Sequence, residues 1–152
     1  MATEIVPATT AHAERLAASL SEESRRGLEA LMVDPLVALL SGLKGSSSVR
    51  AILIDDEVAA VVGVVPREWG GQLWFLTSDL VLRAPREFLR GARQAFSEVG
   101  QGYNVLANIA DARNERTLRL ARHFGFERHD WGVVNGHPFV LTRWEAPLVH
   151  RT

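Results

Sequence analysis

Residues 103–126, YNVLANIADARNERTLRLARHFGF, decide the fold of this chain. The first seven, 103–109, form an apolar segment that predicts a strand, and a short polar turn follows it. The apolar residues that then recur at helical spacing are Leu118, Leu120, Ala121 and Phe124. They predict a helix that stops at Gly125, after which Phe126 begins another strand. A strand, a helix and a second strand in so short a stretch predict a crossover connection in a mixed sheet.

Capping residues place the starts and ends of the helices. Side chains of Ser, Thr, Asp and Asn accept hydrogen bonds from the first N–H groups of a helix, and glycine suits the left-handed conformation after its last turn. The predicted N-caps are Thr9 or Thr10, Ser21, Asp34 in front of Pro35, and Asn114. A further helix begins near Pro85. The predicted ends are Gly42 and Gly45 for the third helix and Gly125 for the last.

Apolar runs bounded by turn residues predict the strands. They cover residues 4–7, 49–54, 58–65, 72–77, 103–109, 126–134 and 137–144. Residues 49–54 and 58–65 are apolar without alternation, which indicates strands covered on both faces of the sheet. Pro66 is expected to end its strand, with a loop over 67–71, and the tail 146–152 is expected to be loose. Asn135-Gly136 predicts a tight hairpin turn, because both residues tolerate positive φ.

The composition is that of an ordinary globular protein. With 152 residues, 47% hydrophobic and 23% charged, the chain is predicted to form one domain over residues 1–152. Its net charge of -1 argues against a dedicated nucleic-acid binder, which carries a basic excess. The sequence has no cysteine, which excludes thiolate catalysis and zinc–thiolate sites. No apolar segment is long enough to span a membrane, so a cytoplasmic protein is expected.

The order of these elements resembles the GNAT N-acyltransferase fold. EIVPATTAHAERLAAS is similar to the opening strand and helix of that family, and IDDEVAAVVGVV is similar to its central hairpin. NERTLRLARHFGFER is similar to the family's late helix, which an asparagine opens and Gly-Phe ends. The resemblance covers nearly the whole chain. It implies an α/β fold of GNAT type, in which helices flank both faces of a central mixed sheet.

The resemblance also implies a function and a cofactor. GNAT enzymes are acyl-CoA-dependent N-acyltransferases, which implies transfer of an acetyl group from acetyl-CoA to an amine on a small molecule or a protein. By the resemblance, the backbone of Leu76 and Thr77 and the side chains of Asn108 and Asn114 contact the pantetheine arm of CoA. Leu76 and Thr77 can instead be ordinary strand positions, and Asn114 can be a plain helix cap.

Two features of the family pattern are missing. GNAT enzymes bind the CoA pyrophosphate with a glycine-rich loop at a helix N-terminus, whereas residues 79–87 contain no glycine. Arg83 and Arg86 begin a basic stripe there, which continues through Arg90 and Arg93. These arginines can bind the phosphates, or they can form a solvent-exposed helix face. Many GNAT enzymes also use a tyrosine as general acid, and Ala121 stands at that position.

Other candidate residues are not distinguished by their pattern. The general-base candidates by side-chain type alone are Glu68, Asp79, Asp111 and His123, so the catalytic residues stay unassigned. The histidines show no metal-ligand spacing, and no metal is expected. Trp69 lies in the predicted loop that can border the site of the acceptor amine.

A narrower resemblance predicts a rival function. WFLTSDLVLRAPREFLRGAR followed by DARNERTLRLARHFGF is similar to GNAT-related proteins of tailed phages, some of them internal virion proteins. This implies a phage or prophage origin and, as the alternative to an enzyme, a structural or interaction protein associated with the virion. A phage protein would then be the partner. The GNAT resemblance also allows a homodimer, and nucleic acid is the least favoured partner.

Overall fold

The computed structural model describes residues 2–147. The strands in this part of the chain are Thr3–Pro7 (β1), Ser48–Ile54 (β2), Glu57–Arg67 (β3), Gly70–Thr77 (β4), Val105–Asp111 (β5), Glu127–Val134 (β6) and His137–Glu145 (β7). The helices are Thr10–Ala17 (α1), Glu22–Ala30 (α2), Pro35–Gly45 (α3), Leu80–Arg83 (α4), Pro85–Gly100 (α5) and Glu115–His123 (α6). Every strand predicted from the sequence forms, and its ends lie within two residues of the predicted ends.

The strands form one mixed sheet in the order β1-β2-β3-β4-β5-β7-β6. Neighbouring strands are antiparallel at every position except β4 and β5, which run parallel. The connection between these two strands contains α4 and α5, as a parallel crossover requires. The predicted mixed sheet is confirmed.

Helices cover both faces of this sheet, which confirms the predicted α/β fold. On one face, α1, α2 and α3 pack over a cluster that includes Leu39 and Val61. On the other face, α5 and α6 pack over a cluster that includes Phe96 and Leu106. Strands β2 and β3 contribute side chains to both clusters, which is why their sequences are apolar without alternation.

Three predicted N-caps are confirmed by their hydrogen bonds. Thr9 Oγ1 accepts from the His12 N–H, and His12 Nδ1 accepts from the Thr9 N–H at 3.0 Å, which together form a capping box. Ser21 Oγ accepts from the Ser24 N–H at the start of α2. The Asp34 carboxylate accepts from the first free N–H groups of α3. These helix starts are therefore determined locally by the sequence.

The predicted turns form at Asn135-Gly136 and at Gly125. Asn135 and Gly136 have φ angles of 50° and 80°, and Gly125 has φ of 87°. The Asn135 side chain also donates to the carbonyl of Ala30 at 2.8 Å, which fixes the β6–β7 hairpin to the end of α2.

The prediction that Gly42 helps to end α3 is wrong. The helix continues to Gly45, and Gly42 lies against the indole of Trp74. A Cβ atom at Gly42 would lie 2.4 Å from Trp74 Cζ2, and one at Gly63 would lie 2.6 Å from the same ring. The indole N–H donates to Ser46 Oγ at 2.8 Å, so the ring is fixed between β3 and α3. Gly42 therefore provides space for the indole.

The region between β3 and β4 also differs from the prediction. Pro66 does not end β3, which pairs with β4 as far as Arg67 opposite Gly70. Proline is compatible with this position because β2 pairs with β3 only up to Val64, so β3 has a neighbour on one side there. The loop expected over 67–71 is a tight turn at Glu68 and Trp69. Helix α4 was not predicted from the sequence.

The two edges of the sheet are short or irregular. β6 is exposed along its length except for a half-buried last residue. Its pairing with β7 shifts between Asp130 and Gly132, so Trp131 forms a β-bulge. β1, at the other edge, has only five residues.

Part of the tail that was expected to be loose is ordered. Ala146 is buried, and its N–H donates to the carbonyl of Asn104 at 2.8 Å. Residues 148–152 lie outside the described part of the chain. Within residues 2–147, no helix has both the length and the apolar character needed to cross a membrane.

The Trp74 contact predicts opposite effects of two alanine substitutions in one helix. Gly42→Ala is expected to lower the free energy of unfolding by about 1 to 2 kcal/mol, because the new methyl group overlaps the indole. Gly45→Ala is the matched control, since nothing lies within 4 Å of its Cβ position. It is expected to be neutral or slightly stabilising, since alanine favours helix. Urea unfolding of both variants measures the difference, and equal stabilities would contradict the assigned contact.

Candidate functional site

The parallel strands β4 and β5 pair over a very short distance and then diverge. Their pairing consists of Gly71 opposite Leu106 and Gln72 opposite Ala107. Close approach at this end depends on glycine, since a Cβ atom at Gly71 would lie 2.9 Å from Leu106 Cδ2. Beyond these pairs the carboxyl halves of both strands are separated. Ligands of α/β sheets bind at the carboxyl ends of strands, where such an opening forms.

A cleft of about 1020 Å³ lies at this opening and is lined by residues of α2, β4, α4, α5 and α6. This volume is at the upper end of the range for small-molecule sites. Its apolar lining side chains include Phe75, Val81, Leu82, Pro85, Phe88, Leu89 and Leu120. Its charged lining residues are Glu22, Glu23, Arg25, Arg26, Asp79, Arg116 and Arg119, together with His123. The cleft thus suits a ligand with an apolar arm and charged groups.

The open edge of β4 projects backbone groups into this opening. The Ser78 N–H donates to the carbonyl of Ala59 in β3, whereas the Thr77 N–H donates to Ser24 Oγ. Because backbone groups alternate in direction along a strand, the N–H and carbonyl of Phe75 face the opening as those of Thr77 do. Within the described chain, no strand pairs with Phe75 on that side.

The first turn of α2 attaches to the end of β4. Ser21 donates its N–H to the carbonyl of Thr77 at 2.8 Å, and Ser24 Oγ accepts from the Thr77 N–H at 2.9 Å. The hydroxyl groups of Ser21 and Thr77 are also 2.8 Å apart. Both backbone groups of Thr77 are therefore bonded to α2.

The same turn attaches to the start of α6 through Glu23. The Glu23 carboxylate accepts from the Thr117 N–H at 3.1 Å, from the Thr117 hydroxyl at 3.0 Å and from the Arg116 N–H at 3.2 Å. A carboxylate is favourable at a helix N-terminus because the first N–H groups lack helical partners and the dipole is positive there. Glu23 therefore caps α6 from a distant part of the sequence.

Asn114 is buried at the start of α6, but its side chain does not cap the helix. Its Nδ2 donates to the carbonyl of Glu23 at 2.8 Å, and its Oδ1 accepts from Arg26 at 3.4 Å. The sequence-based prediction of a side-chain cap at Asn114 is therefore wrong. The residue instead fixes α2 to α6.

The other four residues predicted to contact a cofactor lie outside the contacts that join Thr77 and Asn114 to α2. Leu76 packs into the cluster under α1–α3, away from the cleft. Asn108 lies in β5, and its carbonyl accepts from Thr142 Oγ1 at 3.3 Å. Arg83 and Arg86 are exposed next to the start of α5 and do not line the cleft. The structure thus brings Thr77 and Asn114 together through α2, and it places the other four residues outside that group.

Within the described part of the chain, four arginines near the cleft have no ion-pair partner. The side chains of Arg83 and Arg86 beside α5, and of Arg116 and Arg119 on α6, are exposed. None of them forms an ion pair or a side-chain hydrogen bond within residues 2–147. No side chain caps α5, whose first residue is Pro85. This edge of the cleft is therefore electropositive and suits an anionic group.

The general-base candidates differ sharply in their surroundings. Asp111 is 1% exposed and forms two hydrogen bonds to the Arg113 guanidinium, the shorter at 2.7 Å. The side-chain hydrogen bonds from Arg113 lower the pKa of Asp111, against the opposing effect of burial, so Asp111 is a poor base. Glu68 lies in the β3–β4 turn with Trp69, roughly 25 Å along β4 from Thr77.

Of the remaining candidates, Asp79 and His123 line the cleft. His123 Nε2 lies 3.4 Å from Arg93 Nη2, and the guanidinium of Arg93 lies over the ring of Phe124. Within the described chain, no group of three or more His, Asp or Glu side chains is arranged to hold a metal ion.

Sequence reasoning missed the role of Ser21, Glu23 and Ser24. The local signals identified Ser21 correctly as a helix cap and the neighbouring glutamates as favourable in a first helical turn. Their second partners, Thr77 and Thr117, lie more than fifty residues away in the sequence. No local pattern specifies such pairs.

The arrangement of elements is shared with acetyltransferases of known structure. No family model and no curated protein matches the sequence. An acetyltransferase of the GNAT family from Streptococcus pneumoniae shares 14% identity with a TM-score of 0.60, over 95% of this chain and 99% of its own. An acetyltransferase from Thermus thermophilus shares 13% identity with a TM-score of 0.67, over 95% of this chain and 97% of its own.

An N-acetyltransferase from Staphylococcus aureus shares 10% identity with a TM-score of 0.58, over 95% of this chain and 99% of its own. At these identities the likeness establishes the fold. The chain has the fold of GNAT acetyltransferases.

The ion pair of Asp111 with Arg113 predicts a pH-dependent stability difference. Arg113→Ala is expected to lower the free energy of unfolding at pH 7, because it leaves the buried Asp111 carboxylate without its guanidinium partner. Because the pKa of Asp111 is lowered in the folded protein, this contribution is present above the ordinary carboxyl pKa. The contribution is lost as the pH falls through the lower pKa that Asp111 has in the folded protein.

Urea unfolding at pH 7 and near pH 3 measures this contribution, with Arg122→Ala as the control because Arg122 is an exposed arginine of α6. The difference between wild type and Arg113→Ala should shrink at low pH. A difference that stays constant with pH would show that the pair does not act through the charge of Asp111.

Proposed function

We propose that this protein is an acyl-CoA-dependent N-acyltransferase that transfers an acetyl group from acetyl-CoA to an amine. The observation that supports this most directly is the cleft of about 1020 Å³ where β4 and β5 diverge. It has an apolar floor and an electropositive edge, and it lies in a fold shared with acetyltransferases. The acceptor class, a small-molecule amine or a protein amine, is open in this proposal.

The residues present fit an acyl-CoA in three respects. The apolar floor around Phe75 and Leu120 suits the pantetheine arm, and the open N–H and carbonyl of Phe75 can bond its amides. Arg83 and Arg86, with the uncapped start of α5, can bind the phosphates that a glycine-rich loop would otherwise hold. Arg116 lies on the opposite wall and can contribute to the same charge.

The transfer itself requires positioning more than a nucleophilic side chain. Acetyl-CoA supplies a thioester, and attack by the amine nitrogen forms the C–N bond while the C–S bond breaks. A backbone N–H directed into the opening, such as that of Phe75, can stabilise the negative charge that develops on the carbonyl oxygen. The amine loses a proton and the departing thiolate takes one up, and His123, which lines the cleft with Asp79, is proposed to carry this proton. Tyr103 is bonded to Ser47 Oγ outside the cleft.

A second candidate, a non-enzymatic interaction protein, is favoured by one observation. Both backbone groups of Thr77 are bonded to α2, so the part of β4 nearest the opening is already closed. Under this proposal the protein is of phage or prophage origin, as the similarity of its α4–α6 region to tailed-phage proteins suggests. It would then act in the virion with a phage protein partner, whereas the enzyme would act in the cytoplasm, alone or as a homodimer.

Ligand-induced stabilisation tests the proposed function. Acetyl-CoA at about one hundred times its dissociation constant is expected to add roughly 2.7 kcal/mol of stability and to raise Tm by about 5 to 10 °C. Arg83→Ala/Arg86→Ala is expected to weaken binding about tenfold, since two charge-assisted contacts to phosphate are lost. Thermal unfolding and calorimetry measure both effects.

The matched control is Arg128→Ala, because Arg128 is an exposed arginine on β6 far from the cleft. It should bind acetyl-CoA as wild type does. Absence of any shift in wild type at millimolar acetyl-CoA would reject the acyltransferase and favour the interaction protein.

A further inference from the structure

The first turn of α2 spans the opening between β4 and α6 and is held there by polar contacts. At β4 it bonds both backbone groups of Thr77, and at α6 Glu23 bonds Arg116 and Thr117. The buried residues of α2 are Leu28 and Ala30, both beyond this turn. Buried Leu20 lies directly before the turn, so apolar anchors stand on both sides of it, and the turn itself is attached by hydrogen bonds.

Hydrogen bonds of this kind can be exchanged for others at small net cost. A hydrogen bond in a folded protein contributes little net free energy, because the same groups bond to water or to a ligand when it opens. An extended ligand that carries amides can add to the open edge of β4 as a strand would. Such a ligand can bond the N–H and carbonyl of Phe75 directly. At Thr77 the same groups are already bonded to Ser24 Oγ and the Ser21 N–H.

We infer that the first turn of α2 is a strap that competes with the amide-bearing arm of the ligand for the edge of β4. This inference rests on the proposed function, since it takes acyl-CoA as the ligand. In the strapped state, the Ser24 hydroxyl and the Ser21 N–H bond the backbone groups of Thr77, and the Glu23 carboxylate caps α6. In the ligand-bound state the strap withdraws and the ligand bonds Thr77. Glu23 then leaves the N–H groups of Arg116 and Thr117, and its carbonyl leaves the Asn114 side chain. The strap thus controls access to the opening.

The Ser24→Ala variant distinguishes a strap that competes with the ligand from a contact that only supports the cleft. It removes the acceptor of the Thr77 N–H and leaves that group free for the ligand. Acetyl-CoA is therefore expected to bind Ser24→Ala about fivefold more tightly than wild type, which corresponds to one hydrogen bond of about 1 kcal/mol. A contact that only supported the cleft would give unchanged or weaker binding. Ser97→Ala, an exposed serine of α5, is the matched control and should leave the affinity unchanged.

Amide hydrogen exchange provides a second readout that does not depend on activity. Without ligand, the amides of Thr77 and Thr117 should exchange faster than the core amide of Val62, because the strap opens locally. With saturating acetyl-CoA, the Thr117 amide should exchange faster still, since Glu23 has withdrawn. The proposed competition would be rejected if acetyl-CoA slowed exchange of the Thr117 amide. It would also be rejected if Ser24→Ala bound acetyl-CoA no more tightly than wild type.

Failure of the proposed function can be distinguished from failure of the strap. If neither wild type nor Ser24→Ala binds acetyl-CoA, the acyltransferase proposal is wrong and acyl-CoA is not the competitor. The ligand-free exchange still decides the strap: if Thr77 and Thr117 exchange only as slowly as Val62, α2 does not open locally and the strap is rejected. Fast exchange at both amides without acetyl-CoA binding would retain the strap and reject the assigned ligand.

Discussion

Backbone groups at a strand edge need hydrogen-bond partners when they are shielded from water, and this requirement governs the centre of the molecule. β4 and β5 pair with each other at only two positions, so beyond these the facing edges of the two strands have no strand neighbour within residues 2–147. α2 supplies partners at the carboxyl end of β4, and Glu23 supplies them at the start of α6. The positions of α2 and α6 are therefore consequences of the divergence, and the cleft is the part that these helices leave open.

The charge distribution follows the same division of the molecule. Although the chain has a net charge of -1, arginines without an ion-pair partner in the described part of the chain gather beside the cleft, around the start of α5 and on α6. On the side of Asp111, by contrast, the guanidinium of Arg113 is neutralised by a buried carboxylate. A cluster of uncompensated cations is unfavourable near a helix N-terminus unless an anion offsets it. The electropositive edge and the apolar floor thus suit one ligand that carries both an anionic group and an apolar arm.

Residues with local partners could be predicted from the sequence, and residues with distant partners could not. Asn135-Gly136 and Gly125 require positive φ, and Asp34 bonds its own helix, so each follows from a few neighbouring residues. The need for glycine at position 42 could not be predicted locally, because the Trp74 ring that it accommodates belongs to β4. The site was the least predictable part, since Glu23 meets Thr117 only after the sheet has formed. Family resemblance predicted the fold, but not the contacts of α2.

The irregular edges of the sheet have a consequence for behaviour at high concentration. An exposed, regular edge strand is a template for aggregation, because a second chain can add to its free N–H and carbonyl groups. In β6 the bulge at Trp131 interrupts that row, and the charged side chains of Arg128 and Asp130 lie just before it. β1 is too short to offer a long row. Both edges of the sheet therefore resist the addition of a strand from a second chain.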